Sequence, residues 1–334
     1  MTHPLLRDVA AGVLHWSRWS EPRRRLRGKL SIATFHRVLP SSARAEYPLG
    51  ELAVTPEELS EILESLCTSF TCMTLGEAAE RWRRGDEPER PLLALTFDDG
   101  QLDNATIAAP VLDARGLRAT FFVVSEAAAS GRSLWHDRVA FALPRALERE
   151  PEAARRLLAE LGAAATAREP AAVVGAAKQM ATTAREHWVS GLEEAAGGAW
   201  RPVWDGMMCF SDLRELRARG HEIGSHSFSH PLLPQCTDAE IEREVVESKR
   251  RLEAEVGGAV TSFCYPNGDW DGRARDAVRQ AGYSNAVTTQ HGWNARGGDV
   301  FTLRRCDLTY MHCVDRRGRF SRARLELRLA RTGV

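Results

Sequence analysis

The chain of 334 residues is short of several things, and each shortage removes a class of protein. It has no net charge, 45 basic residues standing against 45 acidic ones. Bulk electrostatics therefore select no polyanionic partner, and nucleic acid is not expected. No run approaches the roughly 18 consecutive apolar residues of a membrane span. The opening "MTHPLLRDVAAGVLHWSRWS" is broken by Arg7 and Asp8 and lacks a clean apolar stretch with a cleavage site, which argues against a secretory signal. Its seven cysteines (67, 72, 209, 236, 264, 306 and 313) form no CxxC pair and no repeated spacing, so neither a zinc knuckle nor a disulfide framework is expected. Internal repeats are missing too. A reducing cytoplasm is the expected setting.

Charge that cancels in sum does not cancel in place. Residues 1–30 carry seven basic and two acidic side chains, and residues 311–334 repeat that count. Residues 1–29 read as an amphipathic basic helical segment, with Leu5, Leu6, Val9, Val13 and Trp16 along one side. Residues 311–334 read as a basic tail. Such ends suit either solvated helices or peripheral contact with an anionic membrane surface.

Between them, short β-rich runs alternate with helical patterns: 30–36, 91–97, 118–124, 221–226, 261–266, 284–289 and 301–308. Most are continuously apolar, as strands covered on both faces are. "TPEELSEILESLC" opens with Thr55 as cap, Pro56 at the first helical position and Glu58 closing a capping box. "TDAEIEREVVESKRRLEAEVGG" opens likewise with Thr237 and Glu240 and stops at Gly257. The alternation predicts an α/β fold with a mostly parallel sheet, open or closed into a barrel. Residues 137–205, rich in Ala, Arg and Glu, predict a helical insertion, either a lid or a passive elaboration.

Chemistry gathers where apolar runs end. "TFDDG" (96–100) places Asp98 and Asp99 side by side, "GSHSFSHP" (224–231) sets His226 and His230 four apart, and "FCYPNG" (263–268) makes a turn after a strand. In parallel β/α folds functional groups collect at the carboxyl ends of strands. One carboxylate and two imidazoles form a three-ligand set for a catalytic divalent metal. The other carboxylate is then free to act as general base. The backbone N–H of Asn267 is a candidate oxyanion donor.

These three motifs, in this order, resemble those of the polysaccharide deacetylases, carbohydrate esterase family 4, over about residues 30–310. The resemblance implies a distorted (β/α)7-type barrel with the helical insertion inside it, one divalent metal ion of the zinc type, and hydrolysis of N-acetyl groups on a glycan. It assigns Asp98 as general base, Asp99, His226 and His230 as metal ligands, and Asn267 as oxyanion support. The family's usual late acid-bearing motif is indistinct. His36, closing "SIATFH", resembles the early histidine of the poly-N-acetylglucosamine deacetylase branch and is the expected general acid, with His291 and His312 as alternatives. Tyr265 stands where the family's arginine precedes the motif proline, so Arg305 is the expected partner that tunes the base. Tyr265, Pro266, Trp270, Trp293 and Arg305 are the candidate substrate contacts. A catalytically silent sugar-binding relative and an amidase on a non-sugar substrate are the competing expectations.

Overall fold

The computed structural model describes residues 21–162 and 169–331. The amphipathic stretch built on Leu5 to Trp16 lies outside the described residues. All seven runs expected as strands are strands: β1 (Leu30–Phe35), β5 (Leu92–Phe97), β6 (Thr120–Val123), β7 (Glu222–Ser225), β8 (Ser262–Cys264), β9 (Asn285–His291) and β10 (Leu303–Asp307). They pair in the order β1-β10-β9-β8-β7-β6-β5, and β5 returns to β1, which closes a parallel barrel. The distortion sits in two places. The β7–β8 ladder is reduced to one register pair, Ser225 with Phe263. The free edge of β5 is shared, its start pairing with β4 (Thr71–Met73) and its end with β6. A two-stranded parallel ribbon, β2 (Arg37–Val38) and β3 (Ala53–Val54), flanks the barrel.

Residue parity decides what each strand presents, since successive side chains leave opposite faces. Ile32, Ala94, Phe122, Cys264, Val287 and Leu303 fill the barrel. Their neighbours Ala33, Phe35, Leu95, Phe97, Phe121, Val123, Phe263 and Cys306 face the surrounding helices. On that outer face Phe35, Phe97 and Phe121 stack with ring centroids 5.2 Å apart. The same parity turns Thr34, Thr96 and Arg305 inward, and the Thr34 and Thr96 hydroxyls meet at 3.2 Å.

The helices of eight residues or more are α1 (Pro56–Ser69), α2 (Leu75–Arg84), α3 (Trp135–Arg149), α4 (Pro151–Glu160), α5 (Pro170–Ala177), α6 (Thr182–Ala195), α7 (Phe210–Ala218), α8 (Asp238–Val256), α9 (Gly272–Gln280) and α10 (Arg322–Ala330). Both expected capping boxes form, at Thr55–Glu58 and Thr237–Glu240, and Gly257 ends α8 in the left-handed conformation. The N-terminus of α2 plugs the barrel floor. Its Gly76 N–H donates to Glu222, whose carboxylate also accepts from the hydroxyls of Thr120 and Ser262.

Helices α3 to α6 occupy the β6–β7 connection and build a second core around Val139, Leu143, Trp188 and Leu192, joined by Leu39, Tyr47 and Leu49. At the other end, residues 311–331 fold back on the barrel, because α10 buries Leu325 and Leu329 in the main core. Among the described residues no helix is long and apolar enough to cross a membrane.

Candidate active site

Every ladder of the barrel is parallel, so the carboxyl ends of its strands share one rim. The three motifs follow β5, β7 and β8 at that rim. Four non-glycine residues have positive φ among the described ones: Asp99 (77°), Ser227 (66°), His230 (64°) and Asn267 (58°). All four lie in the motifs. Backbone strain of this kind persists only where the surroundings enforce it, and it collects at functional sites. Gly100, at φ 77°, permits the turn after Asp99, and a Cβ there would stand 3.2 Å from Val123 Cγ1.

The two adjacent carboxylates part company. Asp98 points inward and takes two hydrogen bonds from Arg305, Nη1 to Oδ1 and Nη2 to Oδ2, each 2.7 Å. Burial alone would raise the Asp98 carboxyl, but the Arg305 guanidinium outweighs it and keeps Asp98 below the ordinary carboxylate range. Arg305 is aimed by a bulge, the β9–β10 register slipping between Leu303 and Arg305. Its Nε donates to the Thr288 carbonyl at 2.8 Å.

Asp99 faces imidazoles. Its Oδ1 lies 3.3 Å from His226 Nε2 and 3.6 Å from His230 Nε2. Against the upward pull of burial, the His226 hydrogen bond and the surrounding His136, His36 and His230 hold Asp99 well below the carboxylate range. His226 Nδ1 sits 2.8 Å from the Cys264 carbonyl, which fixes the ring and leaves Nε2 for a ligand role. The loop carrying His230 hangs from Glu244 of α8, whose carboxylate accepts from the Phe228 and Ser229 N–H groups and the Ser229 hydroxyl. His230 is driven well below the ordinary histidine value by burial and by the neighbouring His226.

Asp99, His226 and His230 offer ligand atoms that all lie within 4.8 Å of one another, and so do Asp98, His226 and Cys264. The chemistry of the donors separates the two sets. Arg305 already neutralises Asp98, and burial pushes the Cys264 thiol up, away from the thiolate a metal needs. The Asp99 set keeps a carboxylate that no guanidinium pairs, one imidazole fixed by the Cys264 carbonyl and a second carried on a loop held by Glu244, and it fits a divalent ion.

The other expected residues divide. His36 shares parity with Ile32 and brings Nε2 to 4.0 Å from Asp98 Oδ2, with a fifth of its side chain exposed. His291 and His312 do not reach either carboxylate. The first sits 3.1 Å from the Arg328 carbonyl, the second 3.2 Å from the Thr309 hydroxyl. Pro266 opens the turn that sets Asn267 at the rim. Three substrate assignments are corrected. Tyr265 is fully buried on the outer parity of β8, donating to the Phe301 carbonyl. Arg305, 2% exposed, is spent on Asp98 inside the barrel. Trp293 lies below the rim, because the chain after β9 turns back and pairs Asn294 with Leu30 at the start of β1. Its ring is covered by the Lys29 amine at 3.4 Å, and its N–H points to the Ala330 carbonyl. Trp270 stays half-buried beside Tyr265.

The insertion supplies what the motifs omit. His136, the second residue of α3, brings Nε2 to 3.6 Å from Asp99 Oδ2, on the side away from His226. Next to it Asp137 accepts from Tyr47 and Gln101 at 2.7 and 2.6 Å. Arg37, 1% exposed, binds Asp103 through Nε and Nη2 and Asp205 through Nη1, tying the end of the insertion to the turn after Asp99. The signal for His136 was the dipeptide Trp135-His136 at the insertion's edge, which carries no role until α3 is packed.

A family model described as polysaccharide deacetylase matches residues 85–163 and 192–286, slightly over half of the chain. The chain belongs to the polysaccharide deacetylase family. The Bacillus subtilis protein YxkH, named for the same family, is 21% identical over 236 residues, 71% of this chain. The chain spans 58% of that relative's length. Among solved structures, the Streptococcus pyogenes deacetylase PplD in complex with acetate superposes with TM-score 0.59 at 16% identity, covering 90% of this chain and 98% of that one. IcaB from Ammonifex degensii gives TM-score 0.56 at 19% identity, covering 84% and 92%. At such identities these structures establish the common fold. The gap at 164–191 in the family match falls inside the insertion, on α5 and the first part of α6.

Proposed function

We propose that the chain hydrolyses the N-acetyl group of an N-acetylated sugar unit in a glycan, using one divalent ion held by Asp99, His226 and His230. Zinc suits a donor set of two imidazoles and one carboxylate. Once bound, the ion supplies Lewis-acid polarisation of the acyl carbonyl and lowers the pKa of water.

The chain's own residues do the rest. Asp98, held ionised and oriented by Arg305, accepts the proton of the attacking water. The Asn267 backbone, set at the rim by its left-handed φ, supports the oxyanion of the tetrahedral intermediate. His36 protonates the departing amine, which leaves poorly without a proton. The different partners of Asp98 and Asp99 carry this reading, since they give two neighbouring acids two environments and two tasks.

Acetate release from an N-acetylglucosamine oligomer tests it. Native protein is expected to release acetate, to stop after chelation, and to recover with zinc. Release that ignores chelation, or none with any divalent ion, contradicts the proposal.

A further inference from the structure

The insertion carries two cations beside this site that the proposed reaction does not use. Arg185 of α6 is 1% exposed, yet its Nε and Nη1 have no hydrogen-bond partner among the described residues. Its guanidinium lies 4.4 Å over the ring of Trp135, which precedes His136, and its charge reaches His230. Lys178, closing α5, extends its amine to Asn267 Oδ1 on the turn after β8, and the Gln235 side chain holds the Lys178 carbonyl. Neither cation forms an ion pair with a described residue, and each lies within electrostatic range of the other. A lysine in such a place can shed its proton, but an arginine cannot. The face of Trp135 satisfies one side of the guanidinium and leaves its N–H groups unanswered. Inside the barrel the comparable guanidinium of Arg305 is fully paired. Asp269 and Asp99 act on Lys178, and Glu186 on Arg185, from beyond ion-pair distance, and what the Arg185 N–H groups lack is an acceptor.

We propose that Arg185 and Lys178 form an oxyanion subsite, and that the substrate is an N-acetylated sugar carrying a phosphate or carboxylate beside the scissile acetamido group. This rests on the deacetylase reading above and adds to it the charge class of the substrate. Arg185 supplies directed N–H donors, for which a planar guanidinium matches both phosphate and carboxylate. Lys178 supplies a point charge next to Asn267. The bound metal adds positive charge to the same space, so a neutral glycan leaves the site's field uncompensated.

The test compares full-length native protein with Arg185→Met and Lys178→Met. Acetate release is measured from N-acetylglucosamine 1-phosphate, N-acetylmuramic acid and an uncharged N-acetylglucosamine oligomer. Calorimetry measures binding of the sugar phosphate separately from turnover, and inorganic phosphate and free acetate serve as competitors. One charge-assisted pair predicts about a tenfold or larger kcat/KM advantage for a charged substrate. That advantage is expected to shrink with added salt and to be lost in each variant, through KM more than kcat. Whichever of the phosphate and carboxylate sugars carries it identifies the anion. Equal turnover of charged and neutral sugars, or variants that lower both alike, overturns the subsite and leaves the deacetylase reading standing. Binding of the sugar phosphate that needs Arg185 without any acetate release upholds the subsite and overturns the deacetylase. Neither binding nor release defeats both.

Discussion

Arg305 and Arg185 are buried to the same degree, 2% and 1% exposed, in neighbouring parts of the molecule, and are treated in opposite ways. Arg305, inside the barrel, gives two hydrogen bonds to Asp98 and a third to the Thr288 carbonyl. Arg185, under the insertion, rests on Trp135 and leaves two nitrogens unpartnered among the described residues. The contrast follows from construction. Strands locked in register bring residues 207 positions apart to 2.7 Å, so the barrel neutralises its own charge. The insertion meets the site with side chains from the ends of helices, where a bound molecule must fit. The contrast is a division of labour: a pair inside the barrel sets the ionisation of Asp98, and under the proposed subsite the unpaired cation outside it answers to charge on the substrate.

The sharpest way to break this contrast is to remove each arginine in turn. Arg305→Met leaves Asp98 buried without its partner and is expected to cost about 3–5 kcal/mol in urea unfolding. Arg185→Met removes a charge that has no partner and is expected to stay within about 1 kcal/mol of native, the lost ring contact offsetting the relief. Equal losses would mean that Arg185 is paired after all.

A second change sharpens the catalytic half. His36→Ala is expected to keep metal and fold but to lower kcat by about 10²-fold or more, as removal of a positioned acid does. Full activity there would return the general acid to an open question. The smallest effect is expected on the floor of the barrel, where His221 accepts from the Ala119 N–H through Nδ1 and contacts Asp113 through Nε2. Burial pushes His221 below the ordinary histidine value of 6.5, and Asp113 offsets that only in part. The unfolded chain therefore binds the extra proton first. Stability is full above pH 6.5 and declines as pH falls through that value towards the lower folded one. His221→Asn should flatten that decline in urea titrations, and an unchanged slope would assign it elsewhere.

Most of the barrel was legible from apolar runs and caps, because strands buried on both faces and helices opened by Thr-x-x-Glu leave local signatures. The motif residues were legible for the same reason: each sits directly after a strand. What local pattern could not show was the path of the chain between elements. Trp293 reads as a loop residue beyond β9, but that loop runs back down the barrel and pairs with Leu30. Tyr265 reads as a motif residue, but pleat parity turns it to the helix side, opposite Cys264. The insertion hid most. His136, Lys178 and Arg185 are separated along the chain with no shared local pattern, and only the packing of α3, α5 and α6 brings them together. In the basic segment 311–334, read as suiting a solvated helix or a membrane contact, Leu325 and Leu329 are spaced for one buried face of α10.

The central claim is that two neighbouring acids are divided between holding a cation and moving a proton. Metal content of Asp98→Asn and Asp99→Asn, measured beside native protein after loading with zinc, addresses it directly. The division predicts one equivalent of metal in native and Asp98→Asn, no acetate release from Asp98→Asn, and loss of metal from Asp99→Asn. Metal lost from Asp98→Asn and kept by Asp99→Asn would contradict it and move the ion to the site lined by Cys264.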